Sequence, residues 1–275
     1  MLKSSIFIVI RRLRKFVRMR IGMEAYTDFA YLYDEFMEDV PYAEWADLLS
    51  SLIKAYGTNV KTVLDLGCGT GTLTRLMAAK GYEMMGVDYS QDMLTVAAEK
   101  NTEDNDILYI NQDMRSLELL EKSDAIISVC DCINYMILDE DIEDCFKSVK
   151  SNLIKDGIFI FDFNTIYKYE TVIGDTTIAE NRENSSFIWE NYYSSDDHIN
   201  EYDVTFFTKI EDDTDAESDG IFRRFSEVHI QRGYTLQEMK QFLLTAGFSF
   251  VAALDEETRK EPTETSERIY IIARG

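Results

Sequence analysis

Between residues 61 and 80 a short run rich in β-formers ends on Gly67-Cys68-Gly69-Thr70-Gly71, and a helical pattern resumes at Thr72 and closes at Gly81. A strand that runs through a tight turn into a helix cannot return by a hairpin. It needs a crossover of a dozen or more residues to pair with a parallel neighbour. The pattern repeats: strands are predicted over residues 83–87, 107–110, 125–130 and 158–163, and helices over 91–100 and 142–153. Two helices are predicted between residues 26 and 56, the second opening at Pro41. A helix over 236–245 and strands over 248–254 and 268–272 close the chain. Such alternation gives an α/β fold with a mostly parallel sheet covered on both faces.

One stretch breaks the rhythm. Residues 187–193, 199–210 and 222–230 alternate apolar and polar with period two, which predicts three antiparallel strands in a small inserted β-sheet. The acidic segment 211–219 is the loop between the last two. The expected organisation is therefore a basic leader over 1–22, a core over 23–174, an insertion over 175–232 that covers the cleft, and the rest of the core over 233–275. The leader carries seven basic residues and no acid, and composition changes sharply at Met23, so residues 1–22 read as a misread start. Its apolar run, 6–10, is far shorter than the roughly 20 residues of a membrane span. Its charges also do not precede the apolar run as they do in a signal peptide.

Charge narrows the partners. With 51 acidic against 28 basic residues the chain has a formal charge of −23, which repels phosphate backbones, so no nucleic-acid partner is expected. No membrane partner is expected either, and the oligomeric state is open between monomer and dimer. Cys68, Cys130, Cys132 and Cys145 lie inside ordinary elements without the spacing of a disulfide framework, which fits a reducing cytoplasm. Cys130 and Cys132 have one residue between them and no matching His or Cys pair follows, so no metal site is expected.

Ligands of such sheets bind beyond the carboxyl ends of the strands. The turn Gly67-x-Gly69-x-Gly71 lies there, followed by a helix N-terminus with unpaired N–H groups. A dinucleotide fingerprint would need a glycine at Thr72, and no Gly-Lys-Ser/Thr follows, so neither that motif nor a Walker loop is present. Asp65, two residues before the first glycine, suits a cationic ligand group. Asp88, at the end of the next strand in Gly86-Val87-Asp88-Tyr89-Ser90, stands where a carboxylate accepts from ribose hydroxyls, and Ser90 suits the cap of the following helix.

Together with Leu64-Asp65-Leu66-Gly67-Cys68-Gly69-Thr70-Gly71 and Gly86-Val87-Asp88-Tyr89-Ser90, the segment Asn111-Gln112-Asp113-Met114-Arg115 resembles the class I S-adenosylmethionine-dependent methyltransferases, over residues 26–275. The resemblance implies a Rossmann-like seven-stranded sheet and S-adenosyl-L-methionine as cofactor. It implies that Asp65, Gly67, Cys68 and Gly69 hold the amino-acid end and Asp88 the ribose. Tyr89 and Met93 would flank the adenine, with Asp113 and Met114 at its edge. Cys130 would belong to the floor beneath the sulfonium, and Tyr33 to a lid helix over the cofactor. The Asp/Asn-Pro-Pro-Tyr signature and a Pro-Cys nucleophile are both absent from the sequence.

The resemblance further implies methyl transfer to nitrogen or oxygen of a small-molecule acceptor. A tRNA or protein methyltransferase, or a cofactor-binding regulator without turnover, is the alternative. Tyr26, Asn134, Arg232 and Tyr234 are the candidate acceptor-binding residues. A dedicated base is optional, and His229 is the candidate because histidine titrates near neutrality.

Overall fold

The computed structural model describes Ala30 and residues 33–102, 106–209 and 221–275. Residues 1–40 and 41–275 form two compact units. In the first, residues 33–36 are helical and the Met37 N–H donates to the Tyr33 carbonyl at 2.9 Å. The leader, Tyr26 and the acidic segment 211–219 lie outside the described residues.

The second unit opens with α1 (Tyr42–Tyr56) directly after Pro41. Then follow β1 (Thr62–Leu66), α2 (Thr72–Ala79), β2 (Glu83–Asp88), α3 (Gln91–Glu99), β3 (Leu108–Asn111) and β4 (Ser123–Ser128). Next come α4 (Asp139–Asn152), β5 (Leu153–Asn164), β6 (Thr177–Asn181), β7 (Ser185–Ser194), β8 (Ile199–Lys209) and β9 (Phe222–Arg232). The chain ends in α5 (Leu236–Thr245), β10 (Ser249–Asp255) and β11 (Arg268–Arg274). Ser90 caps α3 as expected, accepting from the Met93 N–H at 3.3 Å. Thr235 and Glu238 form a reciprocal capping box on α5.

Seven strands form one sheet in the order β10-β11-β5-β4-β1-β2-β3. β11 runs antiparallel to both its neighbours, and the other pairs are parallel. Alternate residues of these strands face opposite ways. Leu64, Leu66, Ile126, Phe159, Phe161 and Ile271 share one core with Phe146 of α4 and Leu243 of α5. On the opposite face Val63, Ile127, Ile160 and Ile272 are equally buried. Strands buried on both sides read as continuous apolar runs, which explains their legibility.

β6 to β9 form a separate four-stranded antiparallel sheet, one strand more than the alternation predicts. The missed strand, Thr-Ile-Ala-Glu-Asn, is an exposed edge with no apolar face to betray it. β4 also stops two residues early, at Ser128, because Cys130 and Asp131 turn the chain with φ of 66° and 53°. α4 begins three residues early, at Asp139, and Asp139, Glu140 and Asp141 suit the positive end of its dipole. No helix among the described residues is long and apolar enough to cross a membrane.

Candidate active site

From β1 the chain proceeds to β2 and β3 on one side of the sheet, then crosses to β4 and β5 on the other. The carboxyl ends of β1 and β4 therefore flank the switch point at which open α/β sheets hold their ligands. After β1, the Gly67 and Cys68 N–H groups both donate to the Val87 carbonyl, at 2.7 and 3.0 Å, and the Gly71 N–H donates to Cys68 at 2.9 Å. Gly69, at the tip, has φ of 53°, and nothing lies within 4 Å of where a Cβ would stand. The tip faces open space with a backbone that glycine adopts at little cost.

Two acids converge behind it. Asp88, ending β2, accepts the Gly69 N–H on Oδ2 and the Ser90 N–H on Oδ1, each at 2.8 Å. Burial pushes its carboxyl up, and these N–H groups work against that shift. Asp65, within β1, is 2% exposed and accepts the Thr74 hydroxyl at 2.6 Å. Desolvation, opposed by Thr74 and aided by Asp88, pushes its pKa to about 7. No basic side chain among the described residues pairs with Asp65. A buried carboxylate without a counter-cation suits a positively charged ligand group.

Asp113, beyond β3, caps a short turn and binds Arg115 through its backbone N–H at 2.9 Å and its guanidinium at 2.5 Å. Those hydrogen bonds hold the carboxyl below its usual range. Arg115 reaches on to Asp141 of α4 at 2.8 Å. Met114 packs half-buried against the core, and Met93 is half-buried on α3. Tyr89 is 78% exposed, and its carbonyl accepts from Asn111 at 2.8 Å.

At the end of β4, Asp162 of β5 accepts the N–H groups of Cys130 and Asp131, at 3.0 and 2.9 Å, and fixes their left-handed conformation. Asp162 is fully buried. Its partner is Arg268 of β11, which donates to Asp162 at 3.2 Å, to Asp131 at 2.8 Å and to Asn164 at 3.2 Å, and lies over the Trp45 ring at 5.8 Å. Cys132 donates its thiol to the Gly67 carbonyl at 3.4 Å, and burial pushes that thiol well up, so it packs as a neutral group.

The inserted sheet docks on this turn through β9. Gln231 donates to Asp131 at 2.7 Å and accepts from Tyr169 at 2.6 Å. His229 Nδ1 lies 2.9 Å from the Tyr135 hydroxyl, and its ring stacks on Tyr202 at 5.0 Å. Burial, opposed by the charge of Asp131, lowers the His229 pKa to about 4, so the imidazole is neutral at physiological pH.

The remaining candidates are engaged elsewhere. Asn134 is fully buried, donating to the Asn164 and Arg232 carbonyls at 2.9 and 2.7 Å and accepting the Asn164 N–H. Tyr234 is fully buried in the core with its hydroxyl on the Met136 carbonyl. Arg232 pairs with Asp139 at 2.6 Å and Glu238 at 3.3 Å, over the Tyr234 ring. Sequence reasoning passed over Asp162, Arg268 and Gln231. A lone acid inside Ile158-Phe159-Ile160-Phe161-Asp162-Phe163 was the one visible signal.

A glycine turn and acids at the ends of three adjacent parallel strands define a Rossmann-like enzyme built for a nucleotide cofactor with a cationic group. A methyltransferase domain family model matches residues 63–157. A Geobacillus protein named as a methyltransferase is 34% identical over 251 residues, covering 90% of this chain and 99% of its own. An S-adenosylmethionine-dependent methyltransferase from Clostridium acetobutylicum has a crystal structure that matches with a TM-score of 0.79 at 28% identity, over 90% of this chain and 98% of that one. A sugar N-methyltransferase from Streptoalloteichus shares the fold, with a TM-score of 0.70 at 16% identity over 88% and 93% of the two chains. This chain belongs to the S-adenosylmethionine-dependent methyltransferases, and S-adenosyl-L-methionine is its cofactor.

Proposed function

We propose that the enzyme methylates nitrogen or oxygen of a small molecule, with the cofactor held at the switch point of the seven-stranded sheet. Asp65, Gly67, Cys68 and Gly69 hold the amino-acid end, the open tip at Gly69 and the uncompensated Asp65 being the features that fit it. Asp88 takes the ribose, exchanging its present backbone donors for hydroxyls in part. Met93 and Tyr89 flank the adenine, with Asp113 and Met114 at its edge, and Cys130 lies in the floor. The cofactor supplies a methyl group already activated by its sulfonium, so the protein contributes chiefly alignment of donor and acceptor.

One observation carries the small-molecule reading: the insertion over 175–232 is bonded by Gln231 to Asp131 in the turn that ends β4 and by His229 to Tyr135 just beyond it. We read it as the cover of the cleft, which leaves an enclosed acceptor pocket in place of an open groove. The acidic surface and the fold shared with a sugar N-methyltransferase support the same reading. His229, neutral and bonded to Tyr135, is the candidate to orient or deprotonate the acceptor. Four free cysteines support a reducing, cytoplasmic location.

The test is calorimetric titration with S-adenosylmethionine, followed by a methyl-transfer screen of small amines and alcohols beside tRNA and protein. Transfer confined to tRNA or protein overturns the small-molecule reading. Asp88→Ala should weaken cofactor binding tenfold or more, and an unchanged affinity would overturn the ribose role.

A further inference from the structure

Register in the inserted sheet brings together a group that neither the cofactor site nor the fold uses. Glu227 of β9 lies opposite Val204 of β8, which lies opposite Trp189 of β7, so the three form one row on one face. Two residues along, on the same face, Tyr202 pairs with His229, and two residues the other way Phe206 pairs with Phe225. Both flanking pairs are stacked, with ring centroids 5.0 and 5.2 Å apart. The Trp189 ring continues the first stack, 4.6 Å from Tyr202.

Glu227 is thus a carboxylate between two aromatic stacks. It is 7% exposed, and no hydrogen bond or ion pair engages it among the described residues. Trp189, in the same row, has a buried indole N–H that also finds no acceptor. The carboxylate oxygens keep a sliver of solvent contact, but an unpaired carboxylate held between aromatic rings still costs stability, and a packing role would favour an apolar residue at position 227. Desolvation alone pushes the Glu227 pKa to about 7. What offsets such a cost is a cation, and aromatic faces beside a carboxylate attract the same kind of ligand through their π-electrons. Position ties this feature to the site. His229, two residues along the same strand, is the residue that touches Tyr135 beside the turn ending β4.

We propose that Glu227, flanked by Tyr202, His229, Phe206 and Phe225, binds a cationic amine group of the methyl acceptor. The inference rests on the reading of the inserted sheet as the cover of the acceptor pocket, and deepens it to a substrate class. The unmet indole N–H of Trp189 suits an oxygen carried on the same molecule.

The test uses the full chain loaded with S-adenosylhomocysteine, which cannot donate a methyl group, and compares benzylamine with benzyl alcohol by calorimetry at pH 8. These probes match in shape and differ in charge. The wild type should bind benzylamine at least tenfold more tightly than the alcohol, and Glu227→Gln should abolish the preference while keeping cofactor affinity and melting no lower than the wild type. Equal binding, no measurable benzylamine binding, or a preference that survives in Glu227→Gln overturns the proposal. A second arm replaces the product with S-adenosylmethionine and follows transfer to the amines and alcohols of the screen. An amine preference in binding with transfer confined to tRNA or protein keeps the amine site and overturns the small-molecule reading. Transfer to alcohols without any amine preference does the reverse.

Discussion

Asp162→Ala removes the side chain that holds the turn ending β4. In the native chain Asp162 accepts two backbone N–H groups, at 3.0 and 2.9 Å, and pairs with the buried Arg268 guanidinium at 3.2 Å. A buried donor left without an acceptor costs about 1–3 kcal/mol. Removing one partner of a buried ion pair costs about 3–5 kcal/mol, which Asp131, still 2.8 Å from Arg268, reduces. The contributions overlap because all three bonds end on one carboxylate, so about 3–5 kcal/mol is expected in total. Urea unfolding of the apo protein measures it, and a scanned melting temperature should fall by roughly 10 °C. Asp162→Asn keeps one acceptor oxygen and should lose less. Asp162→Ala combined with Arg268→Met removes both charges, and should lie closer to wild type than the sum of the single variants. A loss below about 1 kcal/mol for Asp162→Ala at an unchanged urea slope would refute the reasoning.

Asp65 titrates near pH 7 when folded and near 3.8 in its ordinary state, so its contribution to stability is greatest below pH 3.8, declines as pH rises, and is about 4 kcal/mol lower above pH 7. Asp65→Asn should therefore melt close to wild type at pH 4 and above it at pH 8, while binding the cofactor more weakly. A melting difference independent of pH would contradict this. Gly86→Ala would place a Cβ 2.5 Å from the Tyr109 ring and 2.8 Å from the Cys68 sulfur. It should destabilise the fold by about 1–3 kcal/mol, and the second change Tyr109→Leu should recover part of that loss. No recovery would show that the ring is not the obstacle. His229 should titrate below pH 5 by NMR in the native protein, and a value near 6.5 would mean that its ring is not buried as described.

The parallel core was legible because its strands are buried on both faces and its glycine turn has few other uses. Asp65, Asp88 and Asp113 could be found because they stand at fixed offsets from strand ends. β6 could not, since an exposed edge strand has no apolar period. Asn134 and Tyr234 look from the sequence like polar groups free to meet a ligand, but their hydrogen bonds go to carbonyls 30 and 98 residues away, and no local pattern encodes such distant partners. Asp162, Arg268 and Gln231 escaped notice for the same reason. Each comes from a different strand, and only the crossing of chain segments makes them a unit.

That unit joins two sheets. Gln231 of the insertion and Arg268 of the core both end on Asp131, whose backbone Asp162 fixes beside the glycine turn. On the proposed reading, in which the acceptor seats against β9 and the cofactor beside the glycine turn, a shift of β9 pulls on the turn that ends β4. Linkage then requires reciprocity: whatever factor the acceptor applies to cofactor affinity, the cofactor applies to acceptor affinity. Gln231→Leu, which cuts the bond between the sheets, should reduce that factor towards one in paired titrations. A factor that stays the same in Gln231→Leu would show that the two ligands communicate by another route. On that reading, with the bond intact, neither ligand's affinity is independent of whether the other is bound.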